Sequence, residues 1–163
     1  MTTGLLVLWH SRTGAAEALA RAAWAAAHAV DPRSTLLAAT EATPQALLDA
    51  AAYLIVCPEN LGAMTGEMKA LFDRAYYPLL GRVEGRAYAT IIAAGSAGQG
   101  AEAQIDRIVT GWRLRRAAPG LIVNTGAQTP EAILARKTVA PAMLAAAGDV
   151  GAALAEGLRL GIF

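Results

Sequence analysis

Leu5-Leu6-Val7-Leu8-Trp9-His10-Ser11-Arg12-Thr13-Gly14-Ala15-Ala16-Glu17 is the stretch that decides the fold. The run from Leu5 to Trp9 is apolar at every position, without the polar alternation of a half-exposed strand. It predicts a strand buried on both faces. A turn with small hydroxyl residues and a glycine follows, then an alanine-rich helical pattern over residues 15–29 that Asp31-Pro32 stops. Strand, turn and helix in this order make an anion site. The N–H groups of the loop and of the helix start have no partner within the helix, and a phosphate satisfies several at once.

The same grammar repeats outward from that stretch. Residues 34–38 read as a short second strand, and Thr43-Pro44-Gln45 opens a helix to about residue 51, with Thr43 as N-cap and Pro44 at its first position. Tyr53-Leu54-Ile55-Val56-Cys57 is a third apolar strand, and residues 58–64 read as loop. Thr65 is placed to cap a helix carrying Met68, Leu71, Phe72 and Ala75, which Pro78 is expected to end. Residues 87–94 form a fourth strand, residues 95–100 a glycine-rich loop, and residues 101–114 a helix with Ile105, Ile108, Val109 and Trp112 on one face. Leu121-Ile122-Val123 is the fifth strand. A helix begins after Thr129-Pro130 and breaks near Pro141, and the last helix, residues 143–160, is weakened by Gly148, Gly151 and Gly157. Strands alternating with helices predict right-handed βαβ units, hence an α/β three-layer sandwich around a five-stranded parallel sheet of order 2-1-3-4-5.

Bulk properties narrow the possibilities. A length of 163 residues, 55% of them hydrophobic, suits one domain spanning 1–163 with a substantial core. A net charge of +1 with no block of like charges argues against a nucleic-acid partner; the basic cluster Arg113, Arg115 and Arg116 reads as a solvated helix end. The single cysteine, Cys57, excludes an intramolecular disulfide and reads as a packed thiol, and two histidines are too few for the usual metal spacings, so no metal is expected. Met1-Thr2-Thr3-Gly4 leads directly into a strand, without a signal-like segment, and the apolar stretches are broken before the roughly 18 residues a spanning helix needs. A cytoplasmic protein without membrane contact is the expectation.

In open parallel sheets ligands bind beyond the carboxyl ends of the strands, at the point where strand order reverses. That rule selects the loops after strands one, three and four: His10-Ser11-Arg12-Thr13-Gly14-Ala15-Ala16, Pro58-Glu59-Asn60-Leu61-Gly62 with its continuation to Gly66, and Gly95-Ser96-Ala97-Gly98 with its continuation to Gly100. Gly98-Gln99-Gly100-Ala101-Glu102-Ala103 fits a G-x-G-x-x-A dinucleotide pattern but follows the fourth strand and not the first, so it reads as a decoy. No G-x-S-x-G elbow surrounds His10-Ser11.

The three loops carry a resemblance. Ser11-Arg12-Thr13-Gly14-Ala15-Ala16 resembles the S/T-x-T-G-x-T phosphate loop of flavodoxins and flavin reductases. The run from Pro58 through Thr65-Gly66 to Lys69 and Asp73-Arg74 resembles the second flavin loop and following helix of flavodoxin-like NAD(P)H-dependent FMN oxidoreductases, and Gly95-Ser96-Ala97-Gly98 their third loop. The resemblance covers nearly the whole chain. It implies a flavodoxin-like fold and FMN as cofactor, its phosphate at Ser11, Arg12, Thr13, Gly14, Ala15 and Ala16 and its ring at Pro58, Glu59, Asn60, Leu61, Gly62, Gly95, Ser96, Ala97 and Gly98. It also implies NAD(P)H as reductant, a small acceptor such as a quinone or a flavin, and a homodimer or homotetramer with exposed Leu61 and Met64 as interface candidates. Glu59 and Asn60 are candidates to hydrogen-bond the flavin edge, Trp9 to approach it, and Trp24 and Trp112 to serve core or interface. No catalytic acid or base is assigned, because hydride transfer to a flavin needs positioning more than proton transfer.

Two departures keep alternatives open. Ala16 replaces the last threonine of the phosphate loop, and Leu61 and Ala63 stand where relatives often carry an aromatic that stacks on the ring. A helix N-terminus contributes roughly 0.3–2 kcal/mol toward an anion, whereas nanomolar binding needs about 12 kcal/mol, so the ring-facing loops must supply most of the affinity. A non-enzymatic electron carrier and a domain that has lost FMN are the competing readings. Such carriers are typically strongly acidic, and the balance here is +1.

Overall fold

The structure is a computed structural model that describes residues 3–163; the start expected at Met1 and Thr2 lies outside those residues. β1 (Leu5–Trp9) pairs in parallel with β2 (Thr35–Ala38) on one side and β3 (Ala52–Asn60) on the other. β5 (Ala87–Ala94) pairs in parallel with β3, with Ala52 opposite Ala87 and Pro58 opposite Ala93. Beyond β5 the last lane is shared by two short pieces, β6 (Arg115–Arg116) and β7 (Leu121–Asn124), both parallel to β5. This is the flavodoxin-like order inferred above, with its fifth strand split.

Both faces of the sheet are covered, which is why the strands read as unbroken apolar runs. Leu5 and Val7 face α1 (Ala15–Val30) and α6 (Pro141–Arg159); Leu6 and Leu8 face the layer built from α2 (Pro44–Asp49), α3 (Gly66–Leu79) and α4 (Gln99–Gly111). On the α3/α4 side Trp112 is buried, donates its indole N–H to the Tyr76 carbonyl and packs on Phe72 at 5.5 Å. On the other side alanines let two helices meet closely: a Cβ on Gly151 would lie 2.1 Å from the Ala23 carbonyl oxygen. Two of the three glycines expected to weaken the last helix are therefore contact points, Gly151 against α1 and Gly157 against the Phe163 ring.

Several expectations need correction. The segment 58–60 is strand, not loop: β3 continues through Asn60 and folds back antiparallel onto β4 (Ala63–Met64), with Asn60 opposite Ala63. Leu61 and Gly62 make the two-residue turn, with φ of 53° and 76°, the positive values that tight hairpin turns of this kind require. Met64 is buried, not exposed, whereas Leu61 is 97% exposed. Thr43 caps α2 through its hydroxyl as expected, but Thr65 makes no such cap, because its hydroxyl is committed to His10 at 3.0 Å. Pro78 lies within the last turn of α3. The helix expected from residue 130 toward Pro141 is the short α5 (Pro130–Leu134), capped by Thr129. The basic cluster is a solvated helix end only at Arg113, exposed just past α4: Arg115 and Arg116 are strand, and Arg116 is half-buried against Glu102 and Asp106. Pro119 stands in the gap between the two pieces of the split lane. Proline cannot donate to a ladder, and Gly120 beside it leaves the space that the Glu102 carboxylate occupies.

Candidate functional site

The carboxyl ends of β1, β3, β5 and β7 open into one cavity of about 300 Å³. Its walls are Ser11, Arg12, Thr13, Ala15 and Ala16 from the first loop, Pro58, Glu59 and Asn60 from the end of β3, and Ala93, Ala94 and Gly95 from the end of β5. Gly14, Leu61, Gly62, Ser96, Ala97 and Gly98, also expected at the site, do not line it. Leu61 and Gly62 form the exposed hairpin tip, Ser96 and Ala97 are exposed, and Gly98 is a buried N-cap whose φ of 116° starts α4. Trp9 does not line the cavity either; it packs at the α1 face with the Arg21 guanidinium 5.8 Å from its ring.

The first loop is shaped by its own residues. Gly14 adopts φ 100°, a left-handed conformation natural to glycine, and its N–H donates to the Ser11 hydroxyl oxygen at 3.0 Å. The first intrahelical bond of α1 runs from Ala18 N–H to the Gly14 carbonyl. The N–H groups of Ala15, Ala16 and Glu17 therefore have no backbone partner among the described residues, the open-donor arrangement that receives anions. The Ser11 and Thr13 hydroxyls flank these donors, and Ala16 adds none.

The flanking polar groups hold the loops to one another. His10 Nδ1 meets the Thr65 hydroxyl at 3.0 Å, tying the end of β1 to the start of α3. Burial holds the His10 pKa below its ordinary value; Arg12 acts in the same direction and Glu67, 3.7 Å from Nε2, opposes them. Arg12 reaches Glu67 at 3.3 Å, so its charge already has a carboxylate partner. Glu67 lies below the usual carboxylate range, chiefly through a hydrogen bond from its own backbone N–H, with His10 and Arg12 adding to the effect. The Glu59 carboxylate accepts from Ala101 N–H at 3.0 Å and so caps the start of α4. Gln104 accepts from Met64 N–H at 2.9 Å, which fixes the hairpin to the same helix.

One whole wall escaped the sequence reading. Thr125, Ala127, Ile133, Leu134 and Lys137 line the cavity from the stretch between β7 and α6. Lys137 N–H donates to the Thr13 carbonyl at 2.8 Å, and the Arg136 guanidinium lies against Gly14, where a Cβ would come within 2.7 Å of its Cζ. The length of this stretch was the available signal, since long connections in compact domains tend to carry function. The Arg136-Lys137 pair was the second.

The fold and the convergence of strand ends on this cavity define a flavodoxin-like protein. A family model described as NADPH-dependent FMN reductase matches residues 27–129, more than half of the chain. The chain belongs to the NADPH-dependent FMN reductase family. The matched residues include the second and third loops, whereas the phosphate loop and the 130–140 segment lie outside them. Solved structures agree on the fold. A flavodoxin from the domain Archaea aligns over 96% of this chain and 99% of its own, at 14% identity and TM-score 0.76. A WrbA-like flavodoxin from Agrobacterium tumefaciens aligns over 98% and 99%, at 19% identity and TM-score 0.69. The rubredoxin oxygen:oxidoreductase of Desulfovibrio gigas aligns over 99% of this chain but only 37% of its own, at 12% identity and TM-score 0.78. No curated protein matches the sequence.

Proposed function

We propose that the cavity holds FMN and that the protein transfers electrons from NAD(P)H through it to a small acceptor such as a quinone or a free flavin. The observation that carries this reading is the meeting of the open α1 N-terminus with the ends of β3 and β5 in one cavity. The residues fit the group. Ser11, Thr13 and the N–H groups of Ala15, Ala16 and Glu17 offer donors suited to a phosphate. Ala93, Ala94, Gly95 and Ala127 offer a wall with no side chain larger than a methyl. Ile133 and Leu134, 50% and 77% exposed, supply apolar cover in place of the aromatic missing at Leu61 and Ala63.

When bound, FMN supplies the redox chemistry. The chain's own part would be to anchor the phosphate at Ser11, Thr13 and the start of α1, and to hold the ring through the residues that line the cavity from the ends of β3 and β5 and from the 125–137 segment. Glu59 acts indirectly, by fixing the start of α4 against the hairpin. The family description supports an NADPH-dependent reductase over a carrier, and so does the +1 net charge, since steering toward a basic partner needs a strongly acidic surface.

The test is to purify the protein, record its visible absorbance, titrate FMN by fluorescence quenching, and follow NADPH and NADH oxidation with a quinone acceptor. Stoichiometric FMN uptake with acceptor-dependent NAD(P)H oxidation is expected. FMN uptake without any oxidation would assign the chain to the carriers, and absence of FMN affinity would sink both readings.

A further inference from the structure

The charges around the phosphate loop are unevenly used. Arg12, which the loop sequence nominates for the phosphate, is paired with Glu67, and Arg21 is paired with Glu17 at 3.0 Å. Arg136 takes part in no ion pair among the described residues. Lys137 likewise meets no carboxylate: Nζ donates to the Ile133 and Ala135 carbonyls at 2.9 and 2.6 Å and approaches the Thr13 hydroxyl at 3.4 Å. The two cations left uncompensated are thus adjacent in sequence and face the same turn, one over Gly14 and one over Thr13.

We propose that Arg136 and Lys137 form a cationic strap across the phosphate loop that makes the cavity selective for a phosphorylated flavin over its dephospho form. The proposal rests on the reading of this cavity as the FMN site. Three features favour it. Gly14 leaves the space in which the Arg136 guanidinium lies, so the turn and the strap are built for one another. Lys137 is itself part of the cavity wall. The Lys137 N–H bond to the Thr13 carbonyl fixes the strap at the turn that presents the open N–H groups.

The strap also answers the loss at residue 16. A neutral hydroxyl is missing there, while two charged donors stand over the same turn, and charge-assisted hydrogen bonds are roughly twice as strong as neutral ones. Arginine suits the role because its planar fork matches phosphate oxygens, and lysine adds a point charge. Riboflavin carries the same ring without the phosphate, so the strap's contribution is isolated by comparing the two ligands.

The experiment is to titrate FMN and riboflavin into the wild type, Arg136→Gln, Lys137→Gln, the double variant and the charge-retaining Arg136→Lys, with circular dichroism checking that each is folded. The double variant should bind FMN about ten- to a hundredfold more weakly, the effect of losing charged hydrogen bonds, and riboflavin within about twofold of wild type. Arg136→Lys should recover part of the loss, and raised salt should erode FMN binding in the wild type more than in the double variant. Equal weakening for both flavins, or unchanged FMN affinity, overturns the strap while leaving the FMN site in place. A wild type that takes up neither flavin overturns both.

Discussion

Cys57 shows how a single position separates chemistry from packing. It ends the buried part of β3, one residue from the cavity wall at Pro58, and a thiol at that place invites a redox role. The structure argues otherwise. The side chain is fully buried, and burial pushes the thiol from its ordinary 9.0 up to about 12, against a smaller opposing effect of a backbone hydrogen bond from Thr65. Thiolate is the reactive species, so the native protein should be inert to thiol reagents at neutral pH. A stability consequence follows. Between about 9 and 12 the folded chain keeps a proton that the unfolded chain has lost, so this contribution is fully present below 9 and disappears as pH rises toward 12. Buried Tyr53 acts in the same sense, its pKa raised chiefly by burial. Urea denaturation across the alkaline range should therefore show wild-type stability falling with pH, and Cys57→Ala should fall less steeply. Identical slopes would show that Cys57 does not carry the effect.

Among the elements, the α1–α6 contact shows what the sequence could and could not convey. The parallel strands were legible because burial on both faces leaves no polar position to confuse the pattern, as in Leu5–Trp9. Thr43-Pro44 and Thr129-Pro130 were legible because capping is local chemistry. The hairpin at Leu61-Gly62 was not: leucine at φ 53° carries no turn signal, and its conformation is imposed by pairing on either side. The strap was illegible for a similar reason, since only the fold brings residue 137 to residue 13. The glycines of α6 read as weakness from sequence, yet they differ in space. A Cβ at Gly148 would meet Ala26 Cβ at 3.6 Å, an ordinary contact, whereas at Gly151 it would meet the Ala23 carbonyl oxygen at 2.1 Å. Gly148→Ala should thus stabilise by about 0.5–1 kcal/mol through helix propensity. Gly151→Ala should lose more than that gain, with overpacking costing roughly 1–3 kcal/mol. Thermal melts of the two variants should move in opposite directions, and a rise in both would mean the helices part without cost.

At the scale of the whole molecule, the cavity draws on the ends of four strands and on the segment before the last helix, so a ligand there bears on the global fold and not on one loop. Among the described residues no helix is long and apolar enough to cross a membrane. A ligand that binds only the folded chain adds about 2.7 kcal/mol at a hundredfold excess over its dissociation constant. For a chain of this size each kcal/mol moves the melting temperature by about 2–4 °C, so saturating FMN should raise it by roughly 5–11 °C. The size of the shift depends on affinity at a given concentration. FMN should therefore shift the wild type further than riboflavin at the same concentration, and loss of the strap charges should draw the two shifts together. The melt should also stay a single transition, because the loops around the cavity are fixed to one another through His10 and Thr65, Glu59 and Ala101, and Lys137 and Thr13. A protein that melts at the same temperature with and without millimolar FMN has no site of useful affinity, and the reading of the cavity would fail with it.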